Sequence, residues 1–309
     1  MRILLIGGSG QLGTDLRRMV PGECVPLDWP ELDVQNQAQV RATLEAYAPD
    51  VVVNCAAQTN VDGCEDEPEA AFSVNAVGAL HVVKCAQEVG AAVVYISTDY
   101  VFGAAGARAT AYIESDTPGP INVYGASKLA GEHLTLTYNR RALVVRTCGL
   151  YGHAGARGKG GNFVNTMLRL AREGKPIRVV SDQRLSPTST VECAGRIVAL
   201  IEREAVGIYH VAASDSCTWY EFAQAIFEED GLEVDLRAVS SDQYLMRARR
   251  PAMSALRSTR LNEIGVAPCR PWRALLREYL QTGVCGTSRA ALRCAGQHTA
   301  LNTNSNRHE

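Results

Sequence analysis

The sequence predicts an α/β fold: a Rossmann-type doubly wound parallel sheet with a smaller C-terminal α+β substrate-binding part. Three observations predict it. An apolar run at residues 3–6 feeds directly into glycines at 7, 10 and 13, the pattern of a buried strand, a tight turn and a helix start. Strand-like apolar runs then alternate with helix-compatible stretches over about the first 145 residues, which argues for a parallel sheet with helices on its faces. From about Gly149 the alternation loosens, starting with a glycine-rich loop at 152–161. The implied organisation is a dinucleotide-binding domain over 1–148 and a mainly substrate-binding part over 149–283, some of whose segments return to the first domain. A polar tail over 284–309 lacks apolar periodicity and is expected to be disordered.

In the first turn Gly7 permits the bend and Gly10 lets the backbone approach a pyrophosphate. Gly13 lets the helix pack on the sheet with its N-terminus facing the phosphates. A second strand at 24–27 ends in Asp28, about twenty residues beyond the first glycine, where this kind of fold places a carboxylate for the adenosine ribose. Asp28 suits the two ribose hydroxyls of NAD and repels the 2′-phosphate of NADP. Trp29 follows it in place of a phosphate-binding arginine, so the sequence favours NADH, while Arg17 and Arg18 leave NADPH open.

A helix over 36–47 leads to a third strand at 51–55, and the small residues after it let the chain pass close to a cofactor. A long helix over 68–89, carrying Asn75, precedes the fourth strand at 92–98. Thr98 and Asp99 lie at its carboxyl end, where ligands bind in such sheets. A loop at 103–120 leads into a helix bearing Tyr124 and Lys128, and the fifth strand spans 143–146.

Helices are then expected over 162–173 and 190–203, a strand over 207–211 and a last helix over 272–280. Thr218 reads as an N-cap with Glu221 completing a capping box, and Trp219 as helix packing. Pro187–Thr188 and 249–251 read as loop segments facing a cleft.

Tyr124 and Lys128 are four residues apart and so share one helix face. An ammonium beside a phenol favours the phenolate and lowers its pKa, which makes the pair a candidate proton-transfer device.

Composition narrows the partners. With 309 residues, 46% of them apolar, the chain can bury a large core. A net charge of −2 gives no reason to expect nucleic acid or an anionic membrane, and no apolar run reaches bilayer length. The first strand starts at once with no charged leader before it, so the cytoplasm is the expected address. The ten cysteines form no C-x-x-C pair and the six histidines no ligand cluster, so no metal is expected.

Taken together, several motifs make residues 1–282 resemble the extended short-chain dehydrogenase/reductase superfamily, and within it the dTDP-4-dehydrorhamnose reductase family. They are Gly7-x-x-Gly10-x-x-Gly13, Asn54-Cys-Ala-Ala57, Ser97-Thr-Asp-Tyr-Val-Phe102, Asn122-Val-Tyr-Gly-x-x-Lys128, Arg146-Thr147 and Arg250-Pro251. The resemblance implies a catalytic set of Thr98, Tyr124 and Lys128, and sugar-nucleotide contacts from Thr98 and Asp99. It implies cofactor contacts from Gly10, Gln11, Leu12, Asp28, Asp33, Val34, Ala57, Gln58, Thr59 and Ile96, with Tyr124 and Lys128. It also implies reduction of the C4 ketone of a nucleotide-linked 4-dehydro-6-deoxysugar by NADH or NADPH, in dTDP-rhamnose and cell-surface polysaccharide synthesis. In that reaction Tyr124 donates the proton, Lys128 holds the nicotinamide ribose and Thr98 bonds the carbonyl oxygen.

Related 4,6-dehydratases carry an Asp-Glu pair after the threonine, whereas Asp99 is followed here by Tyr100, which favours simple reduction over dehydration or epimerisation. The other alternative is a non-catalytic NADP-binding subunit similar to the methionine adenosyltransferase β-subunit, against which the intact Thr98, Tyr124 and Lys128 speak. Two features depart from the family. Gly149 stands where the family motif has a tryptophan, which removes an aromatic platform and is expected to open the pocket. Of the acidic residues behind the metal-linked homodimer of some members, Asp15 alone corresponds, and Val191 takes another such position.

Overall fold

The computed structural model describes residues 1–106, 108–154, 161–244 and 246–282. The tail at 284–309 and most of the glycine-rich loop lie outside the described residues. The chain builds β1 (Arg2–Ile6), α1 (Gln11–Met19), β2 (Glu23–Leu27), α2 (Gln37–Tyr47), β3 (Val51–Asn54), α3 (Val61–Asp66), α4 (Pro68–Phe72), α5 (Ala79–Glu88), β4 (Ala92–Thr98), α6 (Val123–Tyr138) and β5 (Ala142–Thr147). Each of these strands agrees with its expected span to within one residue at either end. β3 and β5 are buried along their whole length, as continuous apolar runs between two helical layers require.

The expected helix over 68–89 is interrupted. A π-helical segment, Ser73–Gly78, separates α4 from α5 and sets Asn75, fully buried, against its neighbours. Such a turn inserts an extra residue into the helical repeat and re-aims the side chains on either side. No apolar pattern announces it.

After β5 come β6 (Leu150–Tyr151), α7 (Phe163–Arg172), β7 (Ile177–Val180), β8 (Arg184–Leu185), β9 (Thr188–Ser189), α8 (Thr190–Glu202), β10 (Gly207–His210), β11 (Cys217–Thr218), α9 (Trp219–Asp230), β12 (Leu236–Val239) and α10 (Trp272–Gln281). The capping box forms at α9. Thr218 Oγ1 accepts from the Glu221 amide at 3.1 Å, and the Glu221 carboxylate accepts from the Thr218 amide at 2.7 Å.

Six parallel strands form the main sheet in the order β10-β5-β4-β3-β1-β2. The chain leaves β1 towards β2 and returns on the far side of β1 as β3, so a crevice opens at the carboxyl ends between them. One face is covered by α1 and α8, through Leu12, Leu16, Ile197 and Ile201. Val40, Leu44, Val82 and Val83 of α2 and α5 cover the other. A separate apolar cluster joins α7, α9 and α10 through Leu168, Phe222 and Leu276. Among the described residues no helix is long and apolar enough to cross a membrane.

Candidate active site

A cavity of about 740 Å³ runs along the carboxyl ends of the sheet. The turn after β1 shapes one end. Gly7 has φ +80°, and its amide donates to Leu27 O at 2.8 Å. A Cβ on Gly13 would sit 2.2 Å from Gly7 O, so only glycine lets α1 start this close to the turn. The N-cap of α1 is Gly10, which offers no side-chain acceptor, so the first amides of the helix stay available at the cavity wall. Asp28 Oδ2 and Oδ1 accept from the Ser9 amide at 3.0 and 3.2 Å, which fixes a carboxylate beside the turn. This cradle of bare backbone, helix N-terminus and carboxylate fits a dinucleotide.

Gly7, Gly10, Gln11, Leu12, Gly13, Asp28, Asp33, Val34, Ala57, Thr59, Ile96, Thr98, Asp99, Tyr124 and Lys128 all line this cavity. Gln58 does not. Its amide donates to Asn75 Oδ1 and its carbonyl accepts from Asn75 Nδ2, so it braces the wall from behind. The Gln11 side chain also has structural work. It donates to Leu150 O at 3.0 Å and accepts from the Gly152 amide at 3.1 Å, tying the cofactor end to the segment after β5. Asp33 accepts from the Gln35 amide at 2.9 Å.

Thr98 ends β4 with its side chain buried. Its hydroxyl donates to Asp99 Oδ1 at 3.0 Å, accepts from the Tyr100 amide at 3.2 Å and lies close enough to the Tyr124 phenol to favour its ionised form. Tyr124 and Lys128 lie in the first turns of α6, which Asn122 caps by accepting from the Gly125 amide at 2.8 Å. The helix is pressed against its neighbours where side chains are absent. A Cβ on Gly125 would lie 2.0 Å from Tyr100 O, and one on Gly131 would lie 2.3 Å from both Asn75 O and Tyr95 Oη. Asn75 also donates to Ser127 Oγ at 2.9 Å, and Ser127 in turn donates to Tyr124 O at 2.8 Å. The π-helical segment thus braces the turn that carries the phenol.

The electrostatics differ from the expectation that Lys128 depresses the phenol. Burial pushes the Tyr124 hydroxyl up, above the ordinary phenol, against a smaller lowering by Thr98. Burial also brings Lys128 down to about 7, partly offset by Glu132 one turn further on. The amine lies 4.0 Å from the Tyr95 ring centroid. Both groups are therefore held nearer their neutral forms, because desolvation is the largest influence on each. Asp99 is likewise raised by burial, against hydrogen bonds from Ser254, Cys148 and Thr98.

The remaining wall comes from residues that no sequence pattern singled out. Cys148 donates to Asp99 Oδ2 at 3.1 Å. Ser254, Leu185 and Phe163 reach the cavity from short strands, loops and a helix end with no periodic pattern to reveal them. Trp219 packs against Phe163, ring centroids 4.5 Å apart, as expected of it, but also lines the cavity. Of the two segments expected to face a cleft, Pro251 lines the cavity, whereas Pro187, Thr188, Arg249 and Arg250 do not, Thr188 being buried in β9. Gly149 has φ +51°, and a Cβ there would meet Leu185 Cδ1 at 2.7 Å. The space beside Gly149 is thus taken by an aliphatic side chain, where an opened pocket was expected. Asp15 is buried and accepts from the Thr190 hydroxyl at 2.5 Å. Among the described residues no cluster of metal-ligating side chains is found.

The chain is similar to several known proteins. The family model described as the RmlD substrate binding domain matches residues 1–285. The spore coat polysaccharide biosynthesis protein SpsK of Bacillus subtilis is 41% identical over 283 residues, covering 91% of this chain and 97% of that protein. The dTDP-4-dehydrorhamnose reductase of Escherichia coli K12 is 37% identical over 297 residues, covering 91% and 97%. A crystal structure of dTDP-4-dehydrorhamnose reductase from Bacillus anthracis in complex with NADP superposes with a TM-score of 0.86 at 38% identity, covering 91% of this chain and 99% of that one. The UDP-glucose 4-epimerase of Thermotoga maritima, at 17% identity and a TM-score of 0.78, shares the fold.

Proposed function

Since the chain belongs to the RmlD substrate-binding-domain family, we propose that it reduces the C4 ketone of a nucleotide-linked 4-dehydro-6-deoxysugar, as a dTDP-4-dehydrorhamnose reductase does. The observation that carries this reading is the meeting of Thr98, Tyr124 and Lys128 on the wall of the cavity that the glycine turn and Asp28 also line. NADH or NADPH, when bound, supplies the hydride that reduces the ketone carbon. Asp28 favours NADH.

The protein's own part is to polarise the carbonyl and to deliver a proton. Asp99 and the Tyr100 amide hold Thr98 in place, and its hydroxyl turns from Asp99 to donate to the ketone oxygen as charge builds there. Burial keeps the Tyr124 phenol protonated at neutral pH, the state a proton donor needs as negative charge builds on that oxygen. Lys128 binds the nicotinamide ribose and, once charged there, eases loss of the phenolic proton. Asp99 contacts the sugar. Its neighbour Tyr100 supplies no second carboxylate for the elimination that a dehydratase performs.

The setting is the cytoplasm, in dTDP-rhamnose or related polysaccharide synthesis, with residues after 149 forming most of the sugar side. The test is to supply nucleotide-linked 4-keto-6-deoxysugars with each coenzyme. The product is two hydrogens heavier, with one coenzyme oxidised per sugar. No product across the panel, with coenzyme bound, overturns the reading.

A further inference from the structure

Trp29 is 75% exposed, the most exposed of the large apolar side chains among the described residues. It stacks on no aromatic ring among the described residues, yet it lines the dinucleotide cavity. It directly follows Asp28, whose carboxylate is held beside the glycine turn by the Ser9 amide. Leu32, Val34, Ala56 and Val74 line the same cavity and belong to the apolar layer on the face of the sheet that α2 and α5 cover.

We infer that Trp29 is the stacking face for the adenine of the dinucleotide, an inference that rests on the coenzyme assignment above. A carboxylate that grips the ribose hydroxyls fixes the position of the neighbouring ribose carbon, and the base is attached to that carbon. The base then leaves the ribose within reach of the residue after the carboxylate. An indole offers it a flat, uncharged, polarisable surface, and the aliphatic side chains named above supply an apolar lining for its slot.

The test is direct binding, measured by calorimetric titration of NAD+ and of ADP-ribose, which lacks the nicotinamide, into the wild type, Trp29→Ala and Trp29→Phe. Base–aromatic stacking is worth about 1–3 kcal/mol per base, so Trp29→Ala is expected to weaken both ligands by roughly tenfold or more. Trp29→Phe, which keeps a ring, retains most of the affinity. ADP-ribose quenches tryptophan emission in the wild type, and Trp29→Phe loses that quenching although Trp219 and Trp272 remain. An unchanged affinity of Trp29→Ala for ADP-ribose overturns the assignment, as does a loss seen with NAD+ alone. A wild type that binds neither ligand overturns the stacking face, and if it does not bind NADP+ either, the coenzyme site itself. Binding that follows these expectations with no turnover of any keto sugar leaves the stacking face standing and removes only the proposed reaction.

Discussion

Glu132 of α6 and Arg146 of β5 form a buried bidentate ion pair, with Arg146 Nη2 2.7 Å and Nε 2.9 Å from the carboxylate. Ser97 donates to the same carboxylate from the adjacent strand, and the guanidinium lies 5.1 Å from the Phe102 ring centroid. The pair locks the helix that carries Tyr124 and Lys128 to the sheet that carries Thr98. Breaking one side strands a charge in a dry interior. Glu132→Ala is therefore expected to lower the unfolding free energy by about 3–5 kcal/mol, read from the denaturant midpoint. A loss below about 1 kcal/mol, the scale of a surface pair, contradicts this account.

Lys128 makes stability depend on pH. Its folded-state pKa is lowered to about 7, below the ordinary lysine value of the unfolded chain. Between those two values the unfolded state holds more protons, so stability rises with pH across that window. Below about pH 7 both states are charged and the burial penalty is felt in full. The stability of the wild type minus that of Lys128→Met, measured without coenzyme from pH 6 to 9, is expected to climb above about pH 7. A flat difference contradicts the buried amine.

Gly149 and Leu185 are coupled. Gly149→Ala places a methyl 2.7 Å from Leu185 Cδ1 at a backbone φ of +51°. Leu185→Ala removes the clash but not the strained backbone. The double variant is expected to be more stable than the sum of the single effects by about 0.5–3 kcal/mol, and strict additivity counts against the contact. The same pair sets the shape of the cavity wall, so Leu185→Ala is expected to shift the relative kcat/KM among keto sugars.

Gly131→Ala tests how closely α6 must approach its neighbours. The added methyl falls 2.3 Å from Asn75 O and Tyr95 Oη, both backed by rigid structure, so the helix must move. Overpacking of this kind costs about 1–3 kcal/mol, and a shift of about 1 Å in Tyr124 is enough to cost roughly a hundredfold in rate. Full activity at unchanged stability contradicts the tight contact.

β1, β3, β4 and β5 are legible because a buried parallel strand needs an unbroken apolar run, and residues 51–53, 92–96 and 142–145 supply one, while the edge strand β2 is placed by the carboxylate that ends it. Gly7, Gly10, Asp28, Thr98, Tyr124 and Lys128 are legible for a related reason. Each sits at a strand end or helix start whose position that pattern defines. Two-residue strands such as Leu150–Tyr151 carry no period at all. The parallel pair of β7 and β12 has three of its eight residues exposed and two half-buried, so its apolar signal is diluted. Ser254 and Leu185 come to the cavity through long-range folding of such segments, and local pattern does not report that. The direction of the Tyr124 shift was hidden too. Spacing reveals the neighbouring ammonium, but the larger effect is desolvation by the whole surrounding fold.

The central claim is that Tyr124 donates the proton in reduction of a sugar-nucleotide ketone. Its most direct test is the rate of coenzyme oxidation with dTDP-4-dehydro-6-deoxysugar, in wild type and Tyr124→Phe, with coenzyme affinity measured on both. Loss of a general acid is expected to lower kcat by about 10²–10⁴-fold while coenzyme still binds. A Tyr124→Phe rate equal to that of an active wild type contradicts the claim.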